Sequence, residues 1–273
     1  MEIKVLLIGD IVGKPGRSAV KELLGDYVAS NGIEFVIANG ENAAQGSGIT
    51  ENLFKEIVSA GVDVVTSGDH TWRRKEVIPV LERDKRLLRP HNYPITCPGK
   101  GRRVFETPQG FRIGVVTVLG RVFMGGVDCP FKTVARAVEE MKASTSMCIV
   151  EVHAEATSEK IAMGWRFAGE VSCLFGTHTH IPTADDRILP GGKAYITDLG
   201  MTGPYDSVIG RKKESVIFKF ETTMHAPFDV ATGDVRLCGA VVTIDTETGK
   251  AVHFERVMLR AGQGCDGRDA GRI

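Results

Sequence analysis

Five short polar clusters stand in this chain where apolar runs end. They are Asp10 in IGD, Glu41-Asn42 in GEN, Asp69-His70 in GDH, His153 in VHAE, and His178 with His180 in GTHTH. Asp, Glu, Asn and His offer oxygen and nitrogen donors. So many of them suit two divalent transition metals better than one structural zinc, which takes about four ligands. The chemistry such a set performs is metal-assisted hydrolysis, and a phosphate ester is the substrate class that fits it. His178 and His180 form the sharpest pair. Residues two apart in an extended segment point the same way, so these imidazoles address one ion jointly or two neighbouring ions. His153 gains its weight from that pair, whereas His91, His225 and His253 have no such neighbours and receive no role. Taken singly, Asp10 reads as a turn residue or helix N-cap. Asn39 and Asn42 read as holders of a loop through side-chain to backbone bonds. Recurrence of polar residues at successive strand ends weakens that bland reading.

The runs that carry these clusters read as β-strands: KVLLIG, FVIANG, DVVTSG, CIVEV and VSCLFG. Strand ends facing one crevice are where open α/β sheets place ligands. Early in the chain, strands over Ile3–Ile8, Phe35–Ala38 and Val62–Thr66 alternate with helices over Arg17–Val28 and Asn52–Ser59. Thr50 is the expected N-cap of the second helix and Gly61 its stop. This order predicts a mostly parallel sheet covered on both faces. Further helices are expected over Lys75–Leu81 and Phe131–Lys142, and further strands over Phe111–Leu119, Met147–Val152 and Val171–Phe175. The late segments Ser215–Phe220, Arg236–Ile244 and Ala251–Leu259 are rich in β-forming residues without intervening helices. They predict an antiparallel finish, as a second sheet packed on the first. The expected organisation is one domain over residues 1–260 and a Gly-rich, frayed tail from Ala261.

Lys plus Arg and Asp plus Glu number 34 each in 273 residues. That balance provides no electrostatic reason to expect DNA or a membrane as partner. Val5–Ile8 is too short an apolar run for a signal segment or a membrane span. No C-x-x-C pair occurs among the six cysteines. Reduced thiols and a cytoplasmic location are therefore expected. GDIVGKPG fails the phosphate-loop spacing and GSGIT fails the dinucleotide pattern, so both read as turns. Neither a G-x-S-x-G elbow nor a cysteine-nucleophile signature is present.

Taken in chain order, GD, GEN, GDH, VHAE and GTHTH resemble the five-motif pattern of the calcineurin-like metallophosphoesterases. That pattern usually reads D-x-H, G-D-x-x-D, G-N-H-[ED], H and G-H-x-H. Val12 stands where the first motif has its His, and Glu41 where the second has Asp. With those departures, NGENAAQGSGIT, TWRRKE, VHAEATSEKIAMGW, GTHTHIPTAD and RILPGGKAYITDLGMTGPYDSVIG are similar to the bacterial YmdB-type branch. The likeness runs from about Ile3 to Gly210.

The resemblance implies an α/β fold, a four-layer αββα sandwich with mixed sheets. It implies two divalent or trivalent transition metal ions, iron or manganese, and a phosphodiesterase acting on 2′,3′-cyclic nucleotides through a hydroxide held between the ions. Carried over by motif, Asp10, Glu41, Asn42 and His180 ligate one ion. Glu41 bridges to the second, which Asp69, His153 and His178 complete, and His70 matches the general acid. The branch usually reads GNH where this chain has GDH, so Asp69 places a carboxylate where a neutral amide is usual. A phosphomonoesterase on the same scaffold and a non-catalytic nucleotide- or RNA-linked regulator are the alternatives; retention of the whole ligand set argues against the regulator. The implied partner is a small phosphodiester such as a cyclic nucleotide, with no DNA and no membrane. Homo-oligomerisation stays open.

Overall fold

Period-two alternation along the strands decides how the layers stack. The structure, a computed structural model, describes residues 1–262. The first half of the chain forms β1 (Glu2–Ile8), β2 (Asp10–Ile11), α1 (Gly13–Asn31), β3 (Phe35–Asn39), α2 (Glu51–Ser59), β4 (Val64–Thr66), α3 (Ile78–Arg83), β5 (Leu87–Leu88), β6 (Arg102–Glu106) and β7 (Arg112–Leu119). The second half forms α4 (Pro130–Lys142), β8 (Met147–His153), α5 (Thr157–Arg166), β9 (Cys173–Thr177), β10 (Arg187–Leu189), β11 (Lys193–Ile196), β12 (Met201–Pro204), α6 (Lys213–Thr222), β13 (Val235–Asp245) and β14 (Ala251–Arg260).

One sheet of eight strands runs β2-β12-β13-β1-β3-β4-β5, with β14 beside β13; a second of six runs β10-β11-β9-β8-β7-β6. Pairing is parallel through β1, β3, β4 and β5, and again through β7, β8, β9 and β11, with antiparallel neighbours at the flanks. In β1, Leu6 and Ile8 turn to the layer of α1 and α2, while Ile3, Val5 and Leu7 turn to the opposite sheet. In β8, Cys148, Val150 and Val152 face α4 and α5, while Met147 and Ile149 meet the first sheet. Such near-continuous apolar runs belong to strands buried on both faces. The result is helix, sheet, sheet, helix, with both sheets mixed, as the family resemblance implies.

Three local expectations need correction. The first sheet has helices on one face only, because its other face is covered by the second sheet. The second sheet comes from residues 102–196, whereas β13 extends the first sheet through antiparallel pairing with β1, and β14 pairs antiparallel with β13. Ser215–Phe220 is part of helix α6, despite its β-branched and aromatic residues. β-propensity measures fit to a pleated, half-buried surface, and in α6 only Val216 is buried. Helical bonding satisfies the backbone there without any sheet edge. Of the tail expected from Ala261, the first two residues are described, their amides donating to the Val235 carbonyl and to Glu22. The rest of the expected frayed tail lies outside the described residues.

Smaller differences concern element ends. α1 starts at Gly13, ahead of the expected Arg17, and Lys75–Leu81 divides into a 3₁₀ turn over Lys75–Val77 and α3. Thr50 caps α2 as expected, its hydroxyl accepting from the Leu53 amide. Helix α5 and strands β6 and β10–β12 were not legible. The five cysteines among the described residues are free, and no helix there is long and apolar enough to cross a membrane.

The sheet-to-sheet layer should dominate stability. Phe175→Ala removes a ring that is 1% exposed in that layer, so unfolding should cost about 3–5 kcal/mol less. Phe220→Ala, on the exposed face of α6, should stay within about 0.5 kcal/mol of the parent. Denaturant midpoints of the two variants test the contrast; equal losses would show that α6 is packed rather than exposed.

Candidate metal centre

The parallel strands of both sheets deliver their ends to one edge of the layer between them. There the inward positions change from apolar to polar. In β3, Phe35 and Ile37 are followed by Asn39; in β8, Met147 and Ile149 by Glu151 and His153; in β9, Cys173 and Phe175 by Thr177. These four polar side chains are buried and joined across the sheets. Asn39 Nδ2 donates to Glu151 Oε1 at 2.7 Å, and Thr177 Oγ1 donates to the same oxygen at 2.8 Å. His153 Nδ1 lies 2.9 Å from Thr177 Oγ1. Asn39 Oδ1 also accepts from the Glu41 amide at 3.0 Å, holding the loop after β3 as its sequence suggested.

Loops immediately beyond the strands add the remaining groups. Asp10 comes from β2, Glu41 and Asn42 from the loop after β3, Asp69 and His70 from the loop after β4, and His178 and His180 from the loop after β9. Glu41, Asp69, His153 and His178 each contribute one atom to a group lying within 4.8 Å of one another. His153 Nε2 is 3.0 Å from His178 Nδ1, 3.1 Å from Asp69 Oδ1 and 3.2 Å from Glu41 Oε2. A ring nitrogen has either one hydrogen or one lone pair, so hydrogen bonds alone leave this convergence unsatisfied. Gly68 is required beneath it, because a Cβ there would collide with Glu41 Oε2 and His153 Nε2.

A second group lies alongside. Asp10 Oδ2 accepts from the His178 amide at 3.1 Å, while its buried Oδ1 has no hydrogen-bond partner among the described residues and stands 3.9 Å from His180 Nε2. His180 Nδ1 is 2.9 Å from the Ile209 carbonyl. A carbonyl only accepts, so Nδ1 carries the hydrogen and Nε2 presents its lone pair. Glu41 spans both groups, with Oε2 toward His153 and Oε1 toward Asn42 and His70. The orphaned Asp10 oxygen, the crowded His153 nitrogen and the O/N donor set all fit metal ions.

Charge is distributed unevenly. Burial, opposed by the His153 ring and assisted by Glu41, pushes Asp10 up to about 7. Burial also acts to raise Glu41 and Asp69, yet both are held below the usual carboxylate range. His153 and His70 achieve this for Glu41, and His153 and His178 for Asp69 through their hydrogen bonds. Burial disfavours charge on His153, but Glu41, Asp69 and Asp10 raise it well above its ordinary value. His180 is lowered by burial. His70 is raised, chiefly by its bond to Glu41.

All eight residues singled out in the sequence meet here: Asp10, Glu41, Asn42, Asp69, His70, His153, His178 and His180. Asn42 presents Nδ2 to Glu41 Oε1 and His180 Nε2, each at 3.0 Å, with its oxygen toward His70. A half-turn of that amide exchanges oxygen and nitrogen. Asn42 makes no loop-holding backbone bond of the kind Asn39 makes. Glu151, Thr177 and Glu155 join the site beyond the eight, and the last lies 3.2 Å from His178 Nε2. Glu151 carried a signal: an acid inside the apolar run CIVEV, two residues before His153 and so on the same strand face.

Two mixed sheets between helical layers, with oxygen and nitrogen donors gathered at the strand ends, define a protein of the metallophosphoesterase type. Within that class the chain belongs to the family described as YmdB-like protein, which matches residues 6–257. It is 43% identical over 257 residues to the 2′,3′-cyclic-nucleotide 2′-phosphodiesterase of Bacillus subtilis, covering 94% of this chain and 97% of that relative. Among solved structures, a phosphatase of Mycoplasma pneumoniae superposes with a TM-score of 0.89 at 36% identity, covering 95% of this chain and 94% of its own. A hypothetical protein from Thermus thermophilus superposes at 0.86 with 40% identity, covering 94% and 99%.

Two measurements probe the ligand set. Asp69→Asn exchanges a carboxylate for a nearly isosteric neutral amide, so metal retention against a chelator should weaken. Retention equal to the parent's would remove Asp69 from the set. Metal affinity should also rise with pH. A ligating imidazole must lose its proton, and the raised His153 keeps that proton above its ordinary 6.5. Manganese titrations near pH 6 and pH 8 should therefore differ, with tighter binding at the higher pH. An unchanged constant would show that ions and protons do not compete at His153.

Proposed function

We propose that this chain is a metal-dependent phosphodiesterase that opens 2′,3′-cyclic nucleotides at a centre holding two ions of iron or manganese. The observation that carries the reading is the convergence of carboxylates and imidazoles from both sheets on His153 Nε2 and on the unpartnered Asp10 oxygen. The substrate class is supported by near full-length likeness to the Bacillus subtilis relative.

In this reading Glu41, Asp69, His153 and His178 would hold one ion, and Asp10, Asn42 and His180, together with Glu41, would hold the other. Bound there, the ions supply Lewis acidity toward the phosphoryl oxygens and lower the pKa of water. Opening a cyclic phosphodiester with water forms one P–O bond and breaks another, and the departing ribose oxygen needs a proton. His70 stands at the rim with that proton. Its Nδ1 lies 3.0 Å from both Glu41 Oε1 and Asn42 Oδ1, and its side chain is 25% exposed. The bond to Glu41 fixes the ring and raises its pKa, which favours the protonated form that a general acid needs. Nε2, 3.7 Å from Asp69 Oδ2, is then free to face a substrate.

Elemental analysis of purified protein should find about two transition-metal ions per chain. A panel of cyclic diesters, linear diesters and monoesters should show turnover concentrated on the cyclic nucleotides. Hydrolysis of monoesters alone would replace this reading with a phosphomonoesterase.

His70→Ala should keep the metal content and lose about two to four orders of magnitude in turnover on an alkoxide leaving group. The loss should be smaller on an activated aryl ester, which needs little protonation. Equal losses on both esters would reassign His70 to orienting its neighbours, and loss of metal would make it a ligand.

A further inference from the structure

Behind the loop that carries His178 and His180 lies an ion pair shielded from solvent. Lys160 on α5 and Asp198, in the segment after β11, are both buried, with Nζ 2.6 Å from Oδ2. Paired charges in a protein interior are poor stabilisers, since desolvation consumes most of their attraction and an apolar pair often serves as well. This pair has further partners. Lys160 Nζ also donates to the Thr177 carbonyl at 2.8 Å. Asp198 Oδ2 accepts from the Thr179 amide at 3.2 Å and from the Thr179 hydroxyl at 2.7 Å. Its Oδ1 accepts from the Gly200 amide at 2.8 Å.

These bonds fall on the two peptide groups that flank His178, the carbonyl before it and the amide after it. Between them His178 sits at φ +94°, and His180 follows at φ +66°. Non-glycine residues persist in that left-handed region only when their surroundings over-determine them. Both imidazoles leave the backbone from this path. His178 Nδ1 meets His153 Nε2 and Asp69 Oδ1, while His180 Nε2 turns to Asn42 and Asp10.

We propose that the Lys160–Asp198 pair is a positioning clamp that holds the backbone around His178 in its left-handed path and so aims His178 and His180 at the metal centre. The clamp rests on the reading of that centre as a metal site. Lys160 and Asp198 touch neither ion nor substrate; they act through the loop.

Lys193 provides the internal comparison. It too is a buried lysine, and it donates to the Gly164 carbonyl on the same helix, with no bond to the histidine loop. The experiment is a manganese titration of the full chain, with circular dichroism and thermal unfolding recorded for each variant. Lys160→Met should fold and bind manganese about 10- to 100-fold more weakly. Asp198→Asn, which keeps the shape of the residue, should weaken binding in the same direction and carries the test if Lys160→Met does not fold. Lys193→Met should lower the melting temperature and leave manganese affinity unchanged. The clamp is overturned if Lys160→Met and Asp198→Asn bind manganese as the parent does, whatever their melting temperatures. It is also overturned if Lys193→Met weakens binding equally, because the effect would then be general loosening. A parent that binds no manganese overturns the metal-centre reading and the clamp with it.

Discussion

The ring of His153 imposes the constraint on which the rest of the site depends. It is wholly buried at the end of β8, and its Nε2 lies within 3.2 Å of a second imidazole and two carboxylates. An uncompensated charge in that position is costly, and so is an unpaired polar atom. A proton satisfies only part of the group, whereas a metal ion satisfies several lone pairs at once. Around this point the polar residues behind the ring acquire their purpose. Thr177, Glu151 and Asn39 fix the far side of the imidazole, and the near side is left to Glu41, Asp69 and His178.

The layered fold exists in a form that makes such a meeting possible. Strands buried on both faces supply apolar residues to the helices on one side and to the opposite sheet on the other. At the shared edge the same period-two pattern continues in polar residues. Groups from β3 and β8 therefore face one another across the sheets without any long loop. The short loops carry the remaining donors, and Gly68 allows one of them to pass close beneath the cluster. Positive φ angles at His178 and His180 mark backbone strain at the site, offset by the bonds to Lys160 and Asp198.

Membership of the YmdB-like family and the geometry at Glu41 support one another. Its two oxygens face different donor groups, Oε2 toward His153 and Oε1 toward Asn42 and His70. Asp69 adds a further negative charge in a half-buried place, where His153 and His178 keep it ionised. In the proposed metal centre that charge would favour retention of cations and moderate their acidity toward a substrate.

Strands β1, β3, β4, β7, β8 and β9, helices α1, α2 and α4, and all eight candidate residues were legible in the sequence, because they depend on local periodicity and on residue chemistry. A strand with one face toward helices and one toward a second sheet writes a continuous apolar run, and donor types at its end keep their identity wherever they fold. What the sequence left open depends on partners far along the chain. Ser215–Phe220 has the composition of a strand, yet it forms α6 because no pleated surface receives it. β13 adds to the first sheet because β1 offers the matching edge, a pairing across more than 200 residues, and β14 follows by pairing with β13. Asn42 kept its place beside Glu41, but which atom it turns inward is decided by His180 and His70. Glu151, Lys160 and Asp198 showed only as charged residues in or near apolar runs; burial and hydrogen bonding, which exist only in the folded chain, give them their work.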